Sequence, residues 1–293
     1  MDSPTVREQG RPRGPITVPM IATRKRRAGD LPVVMVTAYD EPSARIADGG
    51  GVDVLLVGDS VANNVLGYED TLRVTVDDMV RHVGAVSRAK PSALVVADLP
   101  WMSYHLSVDA AVANAARLVR AGAAAVKLEG GAERVAVVEA IVRAQITVMG
   151  HLGLTPQSVL TMGGYRVQAR DVDAAEEVVS SARALEQAGC FSLVLEGVPD
   201  VVGARVTDAL GVPTIGIGAG PHCDGQVLVF HDLLGLGAAP VPKFVRQYAR
   251  LAELATEAVE TFAADVRAGT FPGESESYHG SEELQRVFGG AAV

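Results

Sequence analysis

Short runs of apolar, often β-branched residues recur along the chain. Each is followed by a polar or small residue and then by a stretch whose apolar positions repeat every three to four residues. A run that is apolar at consecutive positions is buried on both faces, as a parallel strand covered by helices must be. Eight such runs are legible, at 33–37, 53–58, 93–97, 124–128, 146–150, 191–195, 213–217 and 227–230. The stretches between most of them predict helices. In 75–90, Val76, Met79, Val80, Val83 and Val86 form one stripe, and Thr75 with Asp78 has capping-box spacing. A second helix is expected over 108–121, capped by Ser107 and stopped by Gly122. A last, long one carries Phe244, Tyr248, Leu251, Ala255, Phe262 and Val266 along one face.

Eight strand–helix units over roughly 250 residues predict a single-domain α/β protein, a (β/α)8 barrel. A doubly wound open sheet is the rival. The glycines at 216, 218 and 220 do not complete a dinucleotide fingerprint, because Pro221 and Cys223 fall where its third glycine belongs. The barrel is expected over 23–272. Residues 1–22, polar and aperiodic, read as a flexible arm, and 273–293 as a loose tail. The basic run Arg24-Lys25-Arg26-Arg27 reads as a solvated helix face rather than a binding patch.

Composition narrows the function classes. A chain of 293 residues that is 48% apolar has ample material for a core. Its net charge of −9 argues against nucleic acid or an anionic membrane as the main partner. No apolar run approaches the roughly 20 residues of a membrane span. Two cysteines, Cys190 and Cys223, support neither a disulfide framework nor a zinc site, so a reducing cytoplasm is the expected home.

Barrels gather their chemistry at the C-terminal ends of the strands. There the sequence places Thr37–Asp40, Asp59-Ser60, Asp98, Lys127 with Glu129, His151, Glu196, the Gly216–Gly220 loop and His231-Asp232. Lys127 and Glu129 are two apart and share a face, while Val126 and Leu128 take the face the helices need. The charged pair therefore points inward. Asp59, Asp98 and Glu129 would crowd three carboxylates into one cavity, a conflict that a hard divalent cation such as Mg2+ relieves. The alternative is that each Asp only caps a helix. Lys127 has three readings: a clamp for a substrate carboxylate, a Schiff-base lysine, or a counter-charge for Glu129, which the sequence slightly favours. His151 is an acid, a base, a hydrogen-bond orienter or a structural histidine. Glu196, away from the acidic cluster, suits a general base. The glycine loop either cradles an anion or permits close packing.

The stretches VTAYDEPSARIAD, LLVGDSVANNVLGY, LVVADLPWMSY, AVKLEGG, VMGHLGLTPQSV, GGYRVQ, VLEGVP, PTIGIGAGPHCDGQVLV and KFVRQYA follow in order from Thr37 to beyond Phe244. Together they resemble the ketopantoate hydroxymethyltransferase family. The resemblance implies a TIM barrel of the phosphoenolpyruvate/pyruvate type that transfers a hydroxymethyl group from 5,10-methylenetetrahydrofolate to 3-methyl-2-oxobutanoate. It implies Mg2+ on Asp59, Asp98 and Glu129, and oxoacid binding by Asp59, Ser60, Asp98 and Lys127. It further implies Glu196 as proton acceptor, with His151 in support, and a homo-oligomer, commonly a decamer. Gly197, Ala169, Arg73 and Glu41 depart from the family pattern, none at a metal or base position. A Mg2+-dependent lyase of the phosphoenolpyruvate/isocitrate-lyase type, or a barrel kept for binding alone, are the competing readings.

Overall fold

A computed structural model describes residues 14–26, 29–237 and 241–289. Eight parallel strands close in sequence order into a barrel: β1 (Val33–Thr37), β2 (Val54–Val57), β3 (Leu94–Asp98), β4 (Ala125–Glu129), β5 (Val148–Gly153), β6 (Cys190–Glu196), β7 (Thr214–Ile217) and β8 (Gly225–Leu228). The expected fold class is the one found. Strand alternation sorts the side chains into two cores. Leu55, Val57, Val95, Ala97, Val126, Leu128, Leu193 and Leu195 face the helices, while Met35, Val54, Leu56, Val96, Ala125, Met149, Val194 and Ile215 fill the barrel.

The two expected helix signatures hold. Val76–Arg88 starts at a capping box in which Thr75 N–H donates to Asp78 Oδ2 at 3.0 Å, and it buries Met79, Val83 and Val86. Each such side chain contributes about 1.5–3 kcal/mol of burial. Val108–Ala121 begins with Ala110 N–H donating to Ser107 Oγ and ends at Gly122, whose φ of +118° suits glycine.

Three expectations are corrected. β8 lies two residues earlier than its apolar run suggests. Gly225 and Gln226 pair with β1 and β7, and Thr37 Oγ1 captures Phe230 N–H at 2.9 Å to start the short helix Phe230–Leu234. His231 and Asp232 therefore sit on a helix rather than at a strand end. The last long helix begins only at Leu251, because Tyr248 N–H is already spent on Leu233 O at 2.8 Å and Phe244 lies in irregular chain. That helix, Leu251–Ala268, buries none of its residues, and the tail helix Glu282–Phe288 likewise lies exposed.

The third correction concerns the N-terminal end. From Gly14 on, the expected arm is built into the fold, while residues 1–13 lie outside the described residues. Ile16 and Ile21 plug the barrel floor, and Ile16 N–H donates to Ser92 O at 2.7 Å. The basic run is not a solvated helix face. Arg24 pairs with Asp53 at 2.8 Å, and Arg27 lies outside the described residues. Lys25 is buried, its Nζ donating to Asp224 Oδ2 at 2.5 Å, Thr207 O at 3.0 Å and Val212 O at 3.1 Å. An ammonium at the floor of an apolar barrel requires such partners. Lys25→Met should strand Asp224 and destabilise the protein by about 3–5 kcal/mol. A lowered thermal midpoint, measured by circular dichroism, checks this.

Candidate active site

Each strand that carries a candidate residue is apolar low in the barrel and charged at its upper end. Val96 precedes Asp98 by two, Ala125 precedes Lys127 and Glu129, Met149 precedes His151, and Val194 precedes Glu196. Period-two geometry therefore turns all five charged side chains into one cavity above the apolar floor. Asp98, Lys127, Glu129 and His151 are each at most 3% exposed, and Asp59, just beyond β2, is equally buried.

Gly58 leaves room for the Ser60 hydroxyl to fold back beside the end of β2. A Cβ there would lie 2.8 Å from Ser60 Oγ and 3.5 Å from Asp98 Oδ2. Without it, Asp59 N–H donates to Asp98 Oδ2 at 3.0 Å. Ser60 Oγ meets the buried Tyr39 hydroxyl at 2.8 Å.

The charges pair differently from the simplest reading of the sequence. Lys127 Nζ lies 2.9 Å from Asp98 Oδ1, so its ion-pair partner is Asp98 rather than Glu129. Burial acts most strongly to lower the Lys127 pKa, yet Asp98, Glu129 and Asp59 together outweigh it and hold the ammonium charged. A Schiff-base nucleophile needs a free amine, so this environment disfavours that role. Glu129 instead faces His151, whose Nδ1 is 3.3 Å from Glu129 Oε1 and whose Nε2 is 3.3 Å from Glu196 Oε2. Burial and Lys127 oppose a charged His151, but its two carboxylate partners prevail and raise its pKa to about 9. Lys127 Nζ also lies 3.1 Å from Nδ1 of the same ring. A neutral ring can accept from the lysine there, whereas an imidazolium turns that nitrogen toward Glu129.

The crowding of like charge falls hardest on Asp59, whose carboxyl is pushed toward its neutral form. Burial raises its pKa well above the usual carboxylate range, and the neighbouring Asp98 and Glu129 raise it further. Burial likewise raises Asp98, against the pull of Lys127. For Glu129, burial is overcome by His151, Lys127 and a backbone N–H, and the net shift is downward. Among the described residues, no three acidic, imidazole or thiol groups already close round one ion position. The donor set nevertheless suits a hard cation, being all oxygen and buried, with an Asp59 carboxylate that a cation would stabilise in its ionised form.

Two residues that sequence reasoning passed over complete the cluster. Gln157, in a short turn after β5, donates from Nε2 to Asp59 Oδ2 at 2.7 Å and from its backbone N–H to Glu129 Oε2 at 3.0 Å. Tyr104 lies against Gln157 Oε1 at 2.7 Å. Both fall within stretches that carry the family resemblance, but an amide and a phenol in loops have no periodicity to single them out.

Elsewhere the glycine loop serves packing. Cβ atoms at Gly218 and Gly220 would collide with Phe244 and Asp200 at 2.9 and 2.4 Å. Two of the departures from the family pattern lie together. Gln168 N–H donates to Gly197 O at 2.8 Å, and Ala169 takes a left-handed φ of +53° where glycine is expected.

The family profile described as ketopantoate hydroxymethyltransferase matches residues 15–274. The chain is 52% identical over 275 residues to the 3-methyl-2-oxobutanoate hydroxymethyltransferase of Syntrophomonas wolfei, covering 93% of this chain and 99% of that one. It is 56% identical over 262 residues to the enzyme of the same name from a Methylobacterium species, covering 89% and 90%. In fold it is similar to solved 2,3-dimethylmalate lyase, a PEP mutase/isocitrate lyase superfamily member, with a TM-score of 0.58, 21% identity and coverage of 94% and 95%. A phosphonopyruvate hydrolase solved with oxalate and Mg2+ aligns with a TM-score of 0.58, 16% identity and the same coverage.

A folded-state pKa near 9 for His151, against 6.5 unperturbed, has a definite sign. The folded protein holds the extra proton, so this stabilisation is complete below pH 6.5 and is lost as pH rises through about 9. Metal-free protein should lose stability over that window in denaturant titrations, and His151→Gln should lose less. Equal slopes for the two proteins would contradict the assignment.

Proposed function

The chain belongs to the ketopantoate hydroxymethyltransferase family, and we propose that it moves a one-carbon unit from 5,10-methylenetetrahydrofolate onto C3 of 3-methyl-2-oxobutanoate, giving 2-dehydropantoate. The observation that carries this reading is the buried cluster of Asp59, Asp98, Lys127, Glu129 and His151, with Glu196 at its edge. Asp59, Asp98 and Glu129 would hold Mg2+, which supplies a Lewis acid for the 2-oxo group.

The remaining work falls to the chain's own side chains. Lys127, held charged beside Asp98, pairs with the substrate carboxylate. Ser60, fixed by Tyr39, offers a hydroxyl for a second polar contact. Glu196 is the least buried of the cluster's acids, with 16% of its side chain exposed, and it takes the C3 proton. His151, 3.3 Å away, holds the Glu196 carboxylate in place. Water cleaves the two C–N bonds of the methylene bridge, releasing tetrahydrofolate and leaving the one-carbon unit as formaldehyde; C3 adds to that carbon, and the resulting alkoxide takes up the proton that Glu196 removed. The apolar barrel floor below the charged layer keeps bulk water from the reacting carbon from beneath.

The same proposal includes a homo-oligomer, a decamer by resemblance. Its support is the helix Leu251–Ala268, which leaves Leu254, Val259, Phe262 and Val266 exposed, each at 47% or more. Apolar residues repeated along a helix without a covering face call for a partner, here a second copy of the chain. Among the described residues, no helix is long and apolar enough to cross a membrane.

Two measurements test these readings. Glu196→Gln should keep Mg2+ and oxoacid binding but slow exchange of the C3 proton with deuterated solvent by at least about 10²-fold. Undiminished exchange removes Glu196 from the base role. Val259→Asp with Phe262→Asp should reduce the assembly size seen by light scattering, and an unchanged mass excludes this helix as the contact.

A further inference from the structure

Gln157 makes three side-chain hydrogen bonds inside the cluster, using both of its amide protons. Its two Nε2 protons go to Asp59 Oδ2 at 2.7 Å and Leu99 O at 3.0 Å, and Oε1 faces the Tyr104 hydroxyl at 2.7 Å. The Tyr104 oxygen receives Glu129 N–H at 3.1 Å, so its single proton is left to donate. Glu129 O is also in reach at 3.1 Å, but Gln157 Oε1 is the nearer acceptor. Gln157 is 5% exposed and Tyr104 1%, so no solvent competes for these bonds.

The arrangement admits one amide orientation. Turning the amide over would set Oε1 against the Asp59 carboxylate and the Leu99 carbonyl, both acceptors. It would also take from the Tyr104 proton its nearer acceptor, leaving it only Glu129 O at 3.1 Å. Asp59 and Leu99 O therefore set the direction of Gln157, Tyr104 braces it from the other side, and Gln157 fixes one oxygen of Asp59. The backbone N–H of Gln157 meanwhile holds one oxygen of Glu129 at 3.0 Å. One residue from the β5 loop thus anchors carboxylates from the β2 and β4 ends of the barrel.

We infer that Gln157 and Tyr104 are a coupled pair of positioning residues: Tyr104 braces the amide, and the amide presets the Asp59 carboxylate for a hard divalent cation. The inference rests on the metal role proposed for Asp59, Asp98 and Glu129. Anchored carboxylates bind ions more tightly because less rotational freedom is lost on binding, and removing such outer partners typically weakens metal affinity about 10–100-fold.

The test is calorimetric Mg2+ titration of metal-depleted, full-length protein. Gln157→Met keeps the side-chain volume and the backbone N–H, and it should weaken Mg2+ binding about 10–100-fold. Tyr104→Phe should weaken it less, by about 3–10-fold, as expected for one lost hydrogen bond. Because Tyr104 acts through Gln157, adding Tyr104→Phe to Gln157→Met should cost less than half, on a logarithmic scale, of what it costs alone. Lys25→Met, on the barrel floor, serves as the control that loses stability without losing Mg2+ affinity. Affinity within twofold of the wild type in folded Gln157→Met, or fully additive costs, overturns the inference. If Gln157→Met does not fold, an unchanged affinity in Tyr104→Phe overturns it. Wild-type protein that shows no saturable Mg2+ binding overturns both the inference and the metal role, whereas unaffected variants of a Mg2+-binding wild type overturn the inference alone.

Discussion

Like charge confined in a low-dielectric barrel is the constraint around which the upper half of this protein is built. Two carboxylates about 4 Å apart repel by about 4 kcal/mol at an effective dielectric near 20, and Asp59, Asp98 and Glu129 are all buried together. Strand alternation leaves no other place for these side chains, since the opposite faces of β3 and β4 must stay apolar to seat their helices. The fold answers with Lys127 against Asp98, His151 between Glu129 and Glu196, and Gln157 across Asp59 and Glu129. Each compensating group is itself buried, so none is spared its own desolvation.

The two ends of the barrel divide the labour. At the floor, Lys25–Asp224 and Arg24–Asp53 join the N-terminal segment to the strand starts, with Ile16 and Ile21 filling the bottom. Among the described residues, Lys25, Asp224, Arg24 and Asp53 are all paired there. At the mouth, burial and two neighbouring carboxylates disfavour the ionised form of Asp59, and its protein partners offset this only in part. Conservative stability at one end and deliberate electrostatic tension at the other is the division expected of an enzyme barrel.

Much of this was legible in the chain. Consecutive apolar runs gave seven strands to within two or three residues, and β-alternation alone turned Lys127 and Glu129 inward. What escaped has physical reasons. β8 begins on Gly225 and Gln226, which carry no apolar signal because their place is set by pairing with β1 and β7. Lys25 reads as one more surface cation, since its burial depends on Asp224, some two hundred positions away. Which acid Lys127 would choose depends on how far β3 stands from β4, a distance no local pattern encodes. Gln157 and Tyr104 lie in loops, where neither periodicity nor charge marks a side chain whose importance comes from the atoms it joins.

The resting arrangement also bears on the proposed chemistry. Lys127 and His151 are the two cationic groups holding the carboxylates, and each stands close to more than one polar neighbour. Lys127 lies beside Asp98 and the His151 ring, and His151 lies between Glu129 and Glu196. Under the proposed function, an incoming oxoacid brings one more carboxylate, and the nearest charged donor is an ammonium already in the cavity. A rigid barrel whose charges are paired but re-pairable suits a reaction that must create and quench a carbanion in one place, because the compensating groups are assembled before the substrate arrives.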